Sequence, residues 1–316
     1  MKKNKNKISR LAVSLLALVM LVFAFDSGWR ITHQLDNEDY IVEEGKFVSR
    51  GGIPDSLTLV SDTNPEATSP VAVADPGCTS KAVTKDDIFK GRLVPYRGDM
   101  PVIADMSESR VNLAEYKNDC YSTLGVDFPL TKDAADGLNA MMQDYSSTTG
   151  LTDFAIYGTE NTLTGYGSPC PVPFSENKAG NTVDLAIVGL YGIIQYDGGD
   201  EEAWVIQNCT NYGYVLRYPQ NKNAVTGEGY YPWHLRFVGH PHALVMGANN
   251  MCLEEYVKFL QGFTKDAPFE CNVGARTYEI YSVPSMGDVT YISVPLSGNY
   301  EISGDGSAGY IITIEK

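Results

Sequence analysis

Tyr230, Tyr231 and Trp233 place three flat rings within four residues, directly before His234 and close to Arg236. Such rings bury much surface at low entropic cost and suit a groove for a glycan or peptide; plain core packing is the equal alternative. A second polar stretch, Ser175-Glu176-Asn177-Lys178-Ala179-Gly180-Asn181-Thr182-Val183-Asp184, ends in a carboxylate that can serve chemistry or bond backbone amides. His240 and His242 follow His234, and Cys170 stands between two prolines as a further soft ligand. The six cysteines form an even set, but no Cys-x-x-Cys or Cys/His cluster marks a zinc knuckle or redox motif. A mixture of bridges and buried thiols is the expectation.

The environment of these residues follows from the amino terminus and the charge. Lys2, Lys3, Lys5, Lys7 and Arg10 precede the apolar run Leu11 to Phe25, broken only by Ser14, with Trp29 able to sit at an outer interface. No small-x-small cleavage pattern follows, so residues 1–30 are expected to form a cytoplasmic tip and an uncleaved signal anchor, with the rest outside the cell membrane. Beyond Arg10 the chain carries 19 Lys and Arg against 39 Asp and Glu. That surface repels phosphate backbones and excludes nucleic acid as a partner. With 316 residues and 43% hydrophobic content, the chain can bury a full core.

The positioning elements are readable from periodicity. Residues 31–84, rich in Asp, Glu, Ser, Thr, Pro and Gly, read as an extracytoplasmic spacer. Helices are predicted over Thr131 to Gly150, Glu201 to Asn211 and Cys252 to Gln261, each with an apolar face and end signals. Short strands are predicted over Asp153 to Tyr157, Thr182 to Val188, Tyr214 to Tyr218 and Leu235 to Val238. After Cys271 comes a run of small antiparallel strands with Gly, Pro and Asp punctuation. The fold class is α+β: a mixed domain over 85–270, with helices packed on a small antiparallel sheet, and a β appendage over 271–316.

The Ser175 to Asp184 stretch and Tyr231-Pro232-Trp233-His234-Leu235-Arg236-Phe237-Val238-Gly239 together resemble the motifs of the VanY-type zinc D-alanyl-D-alanine carboxypeptidases. The run Trp204 through Pro219 and the tail Tyr300 to Thr313 add to the resemblance, which covers about 85–316. In that family the first motif reads Ser-x-His-x-x-Gly-x-x-x-Asp and supplies two zinc ligands; the second reads Glu-x-x-His and supplies the base and the third ligand. Three protein ligands leave one position open for a water whose pKa the metal lowers toward neutrality, and the glutamate accepts its proton.

The resemblance carries Asp184 and His234 as retained ligands, and Ser175, Trp233 and Arg236 as substrate-binding residues. It puts Asn177 at the lost histidine ligand and Tyr231 at the lost base. An amide binds zinc poorly, and a phenol, which ionises near about pH 10, is a poor proton acceptor at neutral pH. The substrate-holding Gly-Tyr-Arg-Ser of the family is replaced by Ala155 to Glu160, and the nearest arginine upstream is Arg110. With two ligands of three, His234 and Asp184 also read as structural residues. Lys178 beside Asp184 is a candidate stand-in for the metal's charge, and His240, His242 and Cys170 are candidate replacement ligands. The expectation is an inactive, membrane-anchored relative with no cofactor, binding peptidoglycan stem peptide or an envelope protein. The alternative is an active zinc carboxypeptidase that trims terminal D-Ala. The vacated site is expected to be refilled, with Asp184 bonded to at least one of His234, Asn177, Lys178 and the Tyr231 hydroxyl.

Overall fold

A computed structural model describes residues 77–97, 100–105, 107–125, 127–157, 175–199 and 202–316, together with the backbone of a short pairing of 42–43 with 46–47. The expected anchor at 11–30 lies outside the described residues, as do Cys170 and the segment 158–174.

In chain order, the strands from Gly77 onward are β1 (Cys78–Thr84), β2 (Arg110–Asn112), β3 (Ser122–Thr123), β4 (Pro129–Thr131), β5 (Phe154–Tyr157), β6 (Thr182–Gly189), β7 (Gly192–Gln195), β8 (Tyr214–Tyr218) and β9 (Tyr231–Phe237). They continue with β10 (Phe269–Val273), β11 (Arg276–Pro284), β12 (Val289–Pro295), β13 (Tyr300–Gly304) and β14 (Gly309–Glu315). The helices are α1 (Leu113–Tyr116), α2 (Lys132–Thr149), α3 (Ala203–Asn208), α4 (Asn223–Thr226), α5 (His242–Ala248) and α6 (Leu253–Leu260).

A six-stranded sheet runs β8-β9-β6-β5-β3, with β7 pairing the outer half of β6; only β3 and β5 are parallel. Helix α2 packs on one face. Its Ala134, Ala135, Leu138, Met141, Met142 and Tyr145 meet Phe154, Ile156, Val183, Leu185 and Leu235 in one core. The helix ends at Gly150, whose φ of 76° suits a residue without a Cβ. Because strand neighbours alternate faces, Thr182, Asp184, His234 and Arg236 point to the opposite side from Val183 and Leu235. The mixed α+β architecture agrees with the sequence expectation.

Three boundaries differ from expectation. The second helix is shorter, running Ala203–Asn208 before a 3-10 turn Cys209–Tyr212. The strand expected from Leu235 begins four residues earlier, at Tyr231, so the whole Tyr231 to His234 motif is extended. Cys78–Thr84, assigned to the spacer, is a strand paired along its full length with β12. Only Val83 of it is buried, so its apolar periodicity is too weak to betray a strand that long-range pairing creates.

The 271 boundary also falls inside β10. The sheet β10-β11-β14-β13 is not a separate appendage: Phe269, Ile280 and Ile311 share a core with Val245, Leu253, Tyr256 and Leu260 of α5 and α6, and with Val215 of β8.

Candidate functional site

The site lies on the sheet face away from α2. Antiparallel register sets His234 opposite Asp184 and Arg236 opposite Thr182. The turn Ser175–Ala179 crosses above them and brings Glu176 and Asn177 over the same strands. Gly180 then redirects the chain into β6 with φ of 79°, and a Cβ there would come 2.3 Å from Arg110 Nη1. Arg110 Nη2 donates to the Ala179 carbonyl at 2.6 Å. Glycine is therefore needed at 180 for both backbone conformation and space.

Asp184 accepts from Asn177 Nδ2 at 3.0 Å, and its other oxygen lies 2.5 Å from His234 Nδ1. The Asn177 carbonyl oxygen accepts from Thr182 Oγ1 at 2.5 Å. On the far side of the ring, His234 Nε2 lies 2.7 Å from Glu176 Oε1. Glu176 also receives Arg236 Nη1 at 2.8 Å, Arg217 Nε at 3.4 Å and the Tyr218 hydroxyl at 3.2 Å. Arg217 then reaches Glu254 at the start of α6, at 2.8 and 3.1 Å. Three cationic side chains thus interleave with three carboxylates, and Glu176, Asp184, His234, Arg217 and Arg236 are buried.

Burial alone favours a neutral ring, but the flanking Asp184 and Glu176 carboxylates outweigh it and push His234 up to about 9. Burial likewise works against a charged Glu176, yet Arg217, His234 and Arg236 hold it well below the usual carboxylate range. At neutral pH the ring is an imidazolium donating from both nitrogens.

Two of the expected partners of Asp184 are present: it bonds both His234 and Asn177. Tyr231 is the residue that the resemblance puts at the base position. Its hydroxyl donates to Glu228 Oε2 at 3.3 Å, and its ring lies against Tyr218 and Trp233 at centroid distances of 5.6 and 5.0 Å. Trp233 is half-buried against the core beside Ala155, Tyr157 and Ala186. Arg236 corrects the expectation of a substrate contact. Its guanidinium is buried, held by Glu176 and by the carbonyls of Gly91 and Arg92 at 3.3 and 3.2 Å. The reason is the strand alternation that points it inward beside His234.

Lys178 is exposed. Neither replacement histidine reaches the site: His240 Nε2 contacts the Thr210 carbonyl at 3.3 Å, and His242 lies between Tyr256 and Thr313. Of Ser175 only the backbone is among the described residues. Sequence reasoning missed Glu176, Arg217, Tyr218 and Glu254. The available signal was Arg217 and Arg236 embedded in apolar strands, since a charge buried there demands a buried counter-charge.

These residues do not fit the three-ligand zinc centre that the resemblance implies. His234 Nδ1 and Asp184 converge, but the third position presents the Asn177 amide N–H, which donates and cannot ligate. Glu176 cannot serve as the third ligand beside Asp184, because the imidazole separates the two carboxylates. Among the described residues, no group of three His, Cys, Asp or Glu side chains is placed to hold a metal ion. A groove of about 880 Å³ lies elsewhere, past Arg92, Glu108, Asp133 and Glu301, and none of the network side chains lines it.

Comparison with known proteins agrees with the two motifs. The VanY (D-alanyl-D-alanine carboxypeptidase) family model matches residues 172–240. A D-alanyl-D-alanine carboxypeptidase of Enterococcus faecium is 28% identical over 264 residues, spanning 80% of this chain and 84% of that protein. The bifunctional D-Ala-D-Ala dipeptidase and D-Ala-D-Ala carboxypeptidase VanXYC of Enterococcus gallinarum is 49% identical over 55 residues, 17% of this chain and 29% of that protein. In fold, the chain is similar to the vancomycin resistance D,D-dipeptidase VanXYg, solved in complex with a D-Ala-D-Ala phosphinate analog. The TM-score is 0.62 at 22% identity, covering 76% of this chain and 99% of that one. The motifs, their positions in this sheet and these likenesses agree: residues 172–240 match the VanY D-alanyl-D-alanine carboxypeptidase family, and most of the chain is similar to a carboxypeptidase of that kind.

Proposed function

We propose that this protein is a membrane-tethered, extracytoplasmic family member that no longer hydrolyses peptides and instead binds peptidoglycan stem peptide or an envelope partner. The observation that carries the reading is the closed contact of Asn177, Asp184 and His234 where the resemblance puts three metal ligands. Activating a water for attack on a peptide needs a Lewis acid with an open position and a base within reach. Here the ligand positions satisfy one another, and the base position holds a phenol bonded to Glu228.

The tether rests on the amino-terminal sequence, five basic residues followed by Leu11 to Phe25. No helix among the described residues is long and apolar enough to cross a membrane. The D-Ala-D-Ala peptides named for the relatives make such a peptide the first ligand to test.

The deciding experiment incubates the purified full chain with a peptide ending in D-Ala-D-Ala and measures released D-alanine with and without chelator. No release is expected, together with binding of the intact peptide by calorimetry. Chelator-sensitive turnover, or tightly held stoichiometric zinc, overturns the reading in favour of an active zinc carboxypeptidase.

A further inference from the structure

The six residues after Asp184 carry the sheet out of the core to a hairpin tip of unusual composition. β6 and β7 are joined by Leu190 and Tyr191, with Gly189 and Gly192 pairing across the turn. Neither Leu190 nor Tyr191 takes a positive φ, so the turn backbone admits any residue type and does not itself select two large apolar side chains. Leu190 is at 98% exposure and Tyr191 at 102%, flanked by Val188 at 47% and Ile194 at 55%. All twelve residues from Leu185 to Tyr196 are uncharged, in a chain where 20% of residues are charged. Nothing in the packing of the sheet requires the four outward side chains, so the fold does not explain them.

We infer that this hairpin tip inserts into the outer surface of the lipid bilayer to which the protein is tethered. The inference rests on the tether reading given above. Four side chains at a tip offer a few hundred Å², short of the roughly 600–800 Å² that each partner of a stable protein pair buries, which disfavours a second copy as the occupant. A leucine and a tyrosine with aliphatic neighbours and no charge suit the boundary between headgroups and acyl chains. Phe25 and Gly77 are separated by 51 residues, and a chain of fixed length limits how far the domain can stand from its tether. The domain is thereby held near one bilayer, where a weak apolar contact is populated by effective concentration. Docked in this way, the strand from Asp184 to Leu190 places the candidate site about 20 Å from the membrane surface, at about 3.3 Å per residue.

The test uses the full chain in phosphatidylcholine vesicles, with and without bromine on the lipid acyl chains as a quencher of indole emission. Trp204 and Trp233 emit in every form, so the hairpin is read as the difference between Trp29→Phe, Tyr191→Trp and Trp29→Phe alone, and Trp29 near the tether as the difference between the parent and Trp29→Phe. About half or more of the emission added by Tyr191→Trp is expected to be lost in brominated vesicles, and a further Leu190→Asp change is expected to restore it. An unaltered thermal midpoint confirms that these exposed-turn variants fold. If the parent's Trp29 is quenched and the hairpin indole is not, the tether stands and this inference is overturned. If neither is quenched, both readings fail. A hairpin indole that is blue-shifted, unquenched and sensitive to protein density per vesicle shows a second copy on the tip, which also overturns the inference.

Discussion

Among the described residues, His234 and His242 are buried in two different ways. His234 lies between two carboxylates inside a lattice of charges that joins β8, β9, the 175–179 turn and α6. His242, at the start of α5, lies in the C-terminal half, with Nδ1 2.9 Å from the Tyr256 hydroxyl and Nε2 3.1 Å from Thr313 Oγ1. Its partners are neutral hydroxyls, and burial, then the positive charges of Arg92 and His240, push it down to about 3. One region keeps an imidazolium and the other a neutral ring. The lesson is that full burial does not set a group's ionisation by itself; the charges brought within hydrogen-bonding reach decide it.

The harshest way to break the contrast is Glu176→Ala. It strands Arg217, Arg236 and His234 around an empty position, and removing one partner of a buried ion pair costs about 3–5 kcal/mol. Urea unfolding should register that loss, with His242→Gln, which disturbs only neutral hydrogen bonds, costing less, about 1–3 kcal/mol. Equal losses for the two variants would mean that the lattice has no special weight.

The pH dependence has opposite signs in the two regions. His234 is raised from about 6.5 when unfolded to about 9 when folded, worth about 3 kcal/mol at about 1.4 kcal/mol per pH unit. Its contribution is complete below about pH 6.5 and is lost as pH rises through about 9. His242 is depressed, so its contribution is complete above about pH 6.5 and is lost as pH falls toward about 3. Ring signals in nuclear magnetic resonance titrations should show one histidine still protonated at pH 8 and another still neutral at pH 5. Two ordinary titrations near about 6.5 would dissolve the contrast.

Repair sharpens it from the other side. Asn177→His with Tyr231→Glu writes the family's ligand and base residues onto the existing backbone, and zinc binding should return before activity does. Zinc at a hundredfold excess over its dissociation constant should then stabilise the variant by about 2.7 kcal/mol, read as a rise in thermal midpoint absent from the parent. A variant that binds no zinc shows that the 175–184 backbone has drifted from a metal-holding shape.

The smallest effect concerns the turn itself. Gly180→Ala adds a Cβ against Arg110 at a positive φ, and should cost about 1–2 kcal/mol. Pairing it with Arg110→Ala should recover the steric part alone, so the two changes should be non-additive in denaturation measurements.

Local pattern in the chain was enough for the helices over 132–149 and 253–260, the alternating C-terminal strands and the two motifs, because apolar spacing and residue type are properties of neighbouring positions. It also limited the partners of Asp184 to a short set, two of which the structure bears out. What only tertiary structure decided was which charges meet. Glu176 reads as one more acidic residue in a polar loop until the 175–179 turn lays it over β8 and β9, bringing Arg217 and Arg236 from more than forty residues away. Cys78–Thr84 becomes a strand only through β12, which lies more than two hundred residues further along the chain. Periodicity is written locally, but burial of charge is settled by long-range register, where a one-residue slip would turn His234 and Arg236 to the opposite face of the sheet.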